Sequence, residues 1–231
     1  MSDQHVIDLR DVRFSYPGTP VLALPHLQIE AGSTVLLRGA SGSGKSTLLG
    51  LLSGVLRADH GQIRVAGKAL ETLGGAARDR FRAEHLGVIF QQFNLLPFLD
   101  VIDNIALGLR FSPARRARVG TTVTAEARRL MAALQLDPAL AHRRAGTLSV
   151  GQQQRVAAAR ALIGRPDVLL ADEPTSALDR AAATAFLQLM FAQCRACGTT
   201  AVVVSHDDSL DPLFDQVVVL EQLNHVEAAH V

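Results

Sequence analysis

Eight consecutive residues constrain this chain more than any others: Gly39, Ala40, Ser41, Gly42, Ser43, Gly44, Lys45 and Ser46 match G-x-x-x-x-G-K-[ST] in full. Residues 34–38 read as an apolar strand entering this turn, and the apolar-periodic stretch 45–56 reads as a helix leaving it. That order fixes local structure and chemistry together. Glycines let the backbone curl until its N–H groups converge, and the helix dipole adds attraction for an anion at that point. The loop, with Thr47 behind it, is therefore a candidate polyphosphate cradle. Lys45 is placed to reach the β- and γ-phosphates, and the Ser46 hydroxyl to ligate Mg²⁺. A flexible Gly/Ser turn that happens to contain a lysine is the competing reading. It leaves both the strand and the helix unexplained.

A strand–loop–helix unit needs a sheet around it. Residues 6–13, 22–30 (interrupted by Pro25), 34–38 and 62–66 read as strands, separated by Pro- and Gly-bearing turns. After the short apolar run 87–90 the character changes, and 103–109, 125–136 and 151–163 read as helices. From Pro166 onward, segments 168–171, 180–196, 200–204, 209–214 and 217–220 alternate in the manner of a parallel sheet covered by helices. The expected fold is α/β, a single unit over 1–231 with a mainly helical lobe, about 91–164, inserted in the core. Arginines 110, 115, 116, 118, 128, 129, 143 and 144 concentrate in that lobe, as solvated helix faces or as a charged partner surface.

Bulk properties exclude some functions. A length of 231 residues suits one large domain or one domain with an inserted lobe. A formal net charge of +1 argues against binding nucleic acid by bulk charge. No uninterrupted apolar run approaches the roughly 18 residues of a membrane span. The opening stretch 1–10 carries acids and no apolar core, so it reads as no secretory signal, and the tail after Leu220 reads as too short for a second domain. Cys194 and Cys197 have C-x-x-C spacing but fall late in an expected helix, with no second cysteine pair. They read as small packing residues rather than a redox or zinc pair.

Three further features surround the loop's chemistry. The apolar strand 168–171 ends in Asp172 and Glu173; such an aspartate is a usual Mg²⁺ contact, and the glutamate can polarise an attacking water. Gln91 and His206 each follow a short apolar strand, and side chains just beyond strand C-termini collect at the ligand crevice of a parallel sheet. Gln91 could touch Mg²⁺ or water and His206 the γ-phosphate, or each is simply a polar loop residue. Leu148–Arg155, LSVGQQQR, reads as a helix start with Ser149 as N-cap, Gln152 completing a capping box and small Gly151 in the first turn. A helix start presented this way reads as a second candidate anion site, with no phosphate motif around it.

Together these residues resemble the ATP-binding cassette ATPases over nearly the whole chain. Gln91 stands at that family's Q-loop glutamine, Leu148–Gln152 at its signature, Ser176–Asp179 at its D-loop and His206 at its switch histidine. The resemblance implies a P-loop NTPase core with a parallel sheet, an N-terminal antiparallel β subdomain and an inserted helical subdomain. It also implies ATP and Mg²⁺ as cofactors, the ion held by Ser46, Gln91 and Asp172, with Lys45, Gln91, Glu173 and His206 as the catalytic set. Two cassettes would pack head to tail, so that Ser149, Gly151, Gln152 and Asp179 of one copy face the nucleotide of the other. A separate transmembrane permease would be the second partner, which places the chain peripherally on the cytoplasmic face of the inner or plasma membrane; no nucleic acid is expected. Tyr16, the only tyrosine, lies where the family carries an aromatic that stacks on adenine. Val150 departs from the family's usual glycine, and would be strained if its φ were positive.

Residues 91–97 with 170–175 look closest to the lipoprotein-release and macrolide-efflux branch, whereas Ser176–Asp179 is more often seen in amino-acid importers. A non-transport regulatory module would be expected to lack Glu173 or His206. Phe93, Leu95, Leu96 and Phe98 crowd the stretch after Gln91, either as lobe core or as an apolar groove for a permease helix; the resemblance favours the groove for part of the set.

Overall fold

The computed structural model describes residues 5–226. The readings of the chain's start and tail rest partly on residues 1–4 and 227–231, which lie outside the described residues. β1 (His5–Tyr16) and β2 (Thr19–Glu30) form a long antiparallel hairpin across a tight turn in which Gly18 takes φ 76°. β2 runs straight through Pro25 instead of breaking there. It is the edge strand of its sheet, where proline is tolerated because the ladder is one-sided. β3 (Thr34–Arg38) leads through the glycine loop into α1 (Lys45–Leu52). This helix is a turn shorter than its apolar pattern, because Gly54 adopts the left-handed conformation just past its C-cap.

β4 (His60–Val65) and β5 (Lys68–Ala69) complete the antiparallel sheet, in the order β2-β1-β4-β5. α2 (Gly75–His85) has no counterpart in the sequence reading: only Phe81 is buried along it, so it carries no apolar period. β6 (Leu86–Ile89) returns to the core. The lobe follows with α3 (Val101–Ala106), α4 (Pro113–Arg118), α5 (Val123–Ala133) and α6 (Val150–Leu162). β7 (Val168–Asp172), α7 (Arg180–Cys197), β8 (Thr200–Ser205), β9 (Gln216–Val219) and the short α8 (Leu220–Leu223) close the fold. Segment 209–214 is a 3-10 turn, Asp208–Leu213, between β8 and β9.

The second sheet is parallel throughout, in the order β6-β7-β8-β3-β9. Its strands are apolar on both faces because each face has its own core. Val35 and Leu37 of β3 and Val202 and Val204 of β8 point toward α1 and the antiparallel sheet. Leu36, Ala201 and Val203 point the other way, into the core shared with α7 and the helical lobe. Burial on both faces explains why these strands read as continuous apolar runs rather than alternating ones. It also aligns the C-terminal ends of β3, β6, β7 and β8, where the site forms. Cys194 is fully buried in α7, and burial pushes its thiol up to about 12, which makes it a packing residue.

Candidate functional site: the phosphate cleft

The glycine loop is set by two left-handed residues, Gly42 (φ 82°) and Gly44 (φ 97°). Gly44 is needed twice over: a Cβ there would stand 2.8 Å from Leu22 Cδ2 of β2. No side chain caps the first turn of α1 and no acid lies in it, so its backbone N–H groups stay open to an anion. Lys45 is buried, and its Nζ donates to the Gly39 and Ala40 carbonyls at 2.7 Å each. An ammonium has three donors, so one remains for a phosphate oxygen. Opposite the loop, Ser46 Oγ lies 3.5 Å from Asp172 Oδ1 at the end of β7.

Burial pushes the Asp172 carboxyl above its usual range, and neighbouring Glu173 pushes it further; the Ser46 hydroxyl and Lys45 pull the other way. A half-buried carboxylate beside a hydroxyl, short of compensating charge, is a donor set that fits Mg²⁺. Glu173 follows with φ 46°, left-handed for a non-glycine residue, its N–H bonded to Val204 O at 3.0 Å. Its carboxylate accepts from His206 Nδ1 at 2.8 Å. Two residues brought from the ends of adjacent strands thus form one acid–imidazole pair. Such a pair can accept a proton at the carboxylate while the imidazole fixes its orientation.

These groups line one cleft of about 710 Å³ with Tyr16, Gly42, Gly44, Thr47 and Gln91 on its walls, together with Ala40, Ser41 and Ser176. Tyr16 is half exposed and meets Phe14 edge-on, leaving its ring accessible from the cleft. Gly39 and Ser43 belong to the loop but do not line the cleft; a Cβ on Gly39 would stand 2.5 Å from Ser43 Oγ.

Ser149, Gly151, Gln152 and Asp179 do not line the cleft either. Ser149 caps α6 in a complete capping box: Gln152 N donates to Ser149 Oγ at 3.4 Å and Ser149 N to Gln152 Oε1 at 3.0 Å. Asp179 caps α7 through the Ala182 N–H at 2.8 Å. Val150 is the first residue of α6, half exposed and not at positive φ, so it carries no backbone strain. The signature is therefore an exposed helix start, outside the cleft that its own chain builds.

The apolar cluster after Gln91 divides. Phe93 is core, Leu95 packs on the lobe core, and Leu96 and Phe98 are exposed. A groove of about 660 Å³ opens instead between α2, β6 and the lobe, lined by Val88, Phe90, Leu107 and Phe111 with Arg115 and Arg160. Phe111 is 77% exposed there. The sequence reading missed this pair of phenylalanines because they stand alone, twenty-one positions apart in sequence, and only the fold joins them. It also missed Gln154, fully buried on α6, whose Nε2 donates to Pro174 O beside Glu173.

The sequence model of the ABC transporter family matches residues 23–176, which contain the loop, the glutamine turn, the capped α6 and the acidic strand end. The chain belongs to the ABC transporter family. It is 38% identical over 235 residues to the lipoprotein-releasing system ATP-binding protein LolD of Pseudomonas syringae pv. tomato, covering 99% of this chain and 100% of that one. It is 40% identical over 238 residues to the macrolide export ATP-binding/permease protein MacB of Rhodopseudomonas palustris, covering 96% of this chain but 35% of that relative's length. Among solved structures it superimposes on a dimeric post-hydrolysis state of an ATP-binding cassette bound to ADP and Pi, with TM-score 0.81 and 31% identity over 92% of this chain and 93% of that one. This ABC cassette is an ATP-binding and ATP-hydrolysing subunit with the α/β P-loop fold. No helix among the described residues is long and apolar enough to cross a membrane.

Proposed function

We propose that this cassette is the Mg·ATP-driven motor of a membrane transporter, working as a head-to-tail pair that moves a separate permease. One observation carries the reading: the chain builds a phosphate cleft on one face and an open, capped helix start on another. A second copy turned head to tail brings Ser149 and the Gly151 backbone onto the γ-phosphate in the first copy's cleft, with Asp179 at the seam. The solved dimeric cassette supports that pairing. Within each half, Lys45 and the loop N–H groups hold the β- and γ-phosphates, and Tyr16 stacks on adenine. Glu173 takes the proton of the attacking water while His206 steadies it. Ser46, Asp172 and Gln91 would hold Mg²⁺, which supplies charge neutralisation for the transferring phosphoryl group.

The relatives support the lipoprotein-release and efflux branch for the cargo pathway. The groove around Phe90 and Phe111 is the dock for a permease helix on the cytoplasmic face, which makes the cassette membrane-associated through its partner. Trapping tests the pairing. Glu173→Gln binds ATP without hydrolysing it, so ATP should double the mass seen by light scattering. A variant that binds ATP yet stays monomeric at every concentration refutes the head-to-tail site.

A further inference from the structure

A segment that none of the motifs describes touches the phosphate loop from outside the cleft lining. β9 pairs in parallel with β3, with Val219 opposite Arg38, so the chain leaving β9 emerges beside the glycine loop. Glu221, the second residue of α8, accepts the N–H of Ala40. Both its carboxylate oxygens stand about 3 Å from where a Cβ on Gly39 would be, at 2.9 and 3.0 Å. The Ala40 backbone is thereby held on both sides of its Cα. Its N–H is taken by Glu221, and its carbonyl accepts from Lys45 Nζ and, at 3.2 Å, from Ser43 N.

Three residues further on, the same segment bonds to the edge strand β2. Asn224 Oδ1 accepts from Ala23 N and Asn224 Nδ2 donates to Val21 O, each at 2.8 Å, while His225 N donates to Ala23 O at 2.9 Å. These are unpaired groups of edge strand β2, so 224–225 acts as a surrogate strand on that edge. Val21 lines the nucleotide cleft and packs 3.3 Å from a Cβ position on Gly44, the N-cap of α1. One short stretch therefore ties the phosphate loop to the adenine-side strand.

We propose that residues 220–225 are a strap that sets the geometry of the nucleotide cleft, with Glu221 as the positioning residue that fixes the phosphate loop through the Ala40 amide. Glu221 touches no phosphate in this role. It acts through the loop, so its loss should cost nucleotide affinity and leave the hydrolytic step alone. A single orienting hydrogen bond predicts a loss of about threefold to tenfold.

The test uses the full chain and three variants: Glu221→Ala, which deletes the acceptor; Glu221→Gln, which keeps it; and Ala40→Pro, which deletes the donor. Isothermal titration with ATP should show Kd raised about threefold to tenfold in Glu221→Ala, with kcat near wild type at saturating ATP. Glu221→Gln should restore the wild-type Kd. In the Ala40→Pro background, adding Glu221→Ala should change nothing, because the bond is already gone. Hydrogen exchange at the Ala40 amide, measured without nucleotide, should quicken in Glu221→Ala and not in Glu221→Gln, a readout independent of ATP. Equal Kd and equal exchange in wild type and Glu221→Ala overturn the proposal. So does tighter ATP binding in both Glu221 variants, which would make the carboxylate a source of repulsion, and so does an Ala penalty that persists undiminished beside Ala40→Pro.

Discussion

Glu173→Gln should separate chemistry from binding at the acidic strand end. The replacement is isosteric, so the geometry around it is retained. The residue 173 N–H still bonds Val204 O, as it does now at 3.0 Å, and an amide oxygen can still accept from His206 Nδ1, now 2.8 Å away. The left-handed backbone, φ 46°, costs a glutamine what it costs a glutamate. What disappears is the capacity to accept a proton from water. General-base catalysis is worth about 10²- to 10⁴-fold, or about 2.7 to 5.4 kcal/mol of transition-state stabilisation. The whole loss should therefore fall on kcat, with ATP affinity within about twofold of wild type and Tm unmoved. Steady-state phosphate release, read beside nucleotide titration and a melting curve, checks all three. Turnover above about a tenth of wild type refutes the base assignment. A parallel collapse of affinity and turnover refutes the claim that binding and chemistry are separable here.

Three further outcomes follow from the same geometry. Asp172 titrates above the usual carboxylate range because burial disfavours its charge, so it contributes most to stability when protonated and that contribution is lost as pH rises; Asp172→Asn should therefore raise Tm at neutral pH without Mg²⁺, with the gain vanishing below the normal carboxylate range, while hydrolysis is lost. Arg115 is buried, its guanidinium drawn down to about 10 yet charged at neutral pH, and it donates to the carbonyls of Leu86, Ala161 and Ile163. Arg115→Met strands all three, at about 3 kcal/mol or more, and should lower Tm by roughly 6–12 °C. Val150→Gly removes a half-exposed side chain from the helix start proposed to face the second copy, and should tighten ATP-dependent association if that side chain crowds the facing nucleotide; unchanged association in light scattering shows that valine is compatible there.

The parts of the site legible in the sequence are those whose chemistry is local. Residues 39–46 carry their own conformational instructions in Gly42 and Gly44, and the helix start at Ser149 carries its own capping partner in Gln152. Asp172 and His206 were legible for a second reason: buried strands of a parallel sheet must end where their polar residues begin. What sequence could not show is what depends on contact between distant segments. Glu221 reads as an ordinary surface acid until β9 pairs with β3 and carries it to Ala40. α2 is invisible to periodicity because its environment buries one side chain, and Pro25 misleads because edge and central strands tolerate proline differently. Val150 leaves two readings open in the sequence, strain at positive φ or a tolerable place in an ordinary first helical turn, and the backbone decides for the second.

α6 is held by hydrogen bonds to several of the segments that surround the phosphate cleft. Its exposed N-terminus carries Ser149 and Gly151, which face outward from the chain's own cleft. Gln154, about one turn along, is bonded to the Pro174 carbonyl, adjacent to Glu173. Near the other end, Arg160 donates to the carbonyls of Phe93 and Asn94, two left-handed residues (φ 56° and 48°) just past Gln91, and it lines the groove beside Phe90. Thirteen residues at 1.5 Å each make a rod of roughly 20 Å. Charge-assisted and amide hydrogen bonds to backbone carbonyls are directional, so they fix the placement of this rod more tightly than apolar packing alone would. Gln154 and Arg160 thus tie α6 to the turn beside Glu173, to the segment just past Gln91 and to the wall of the groove.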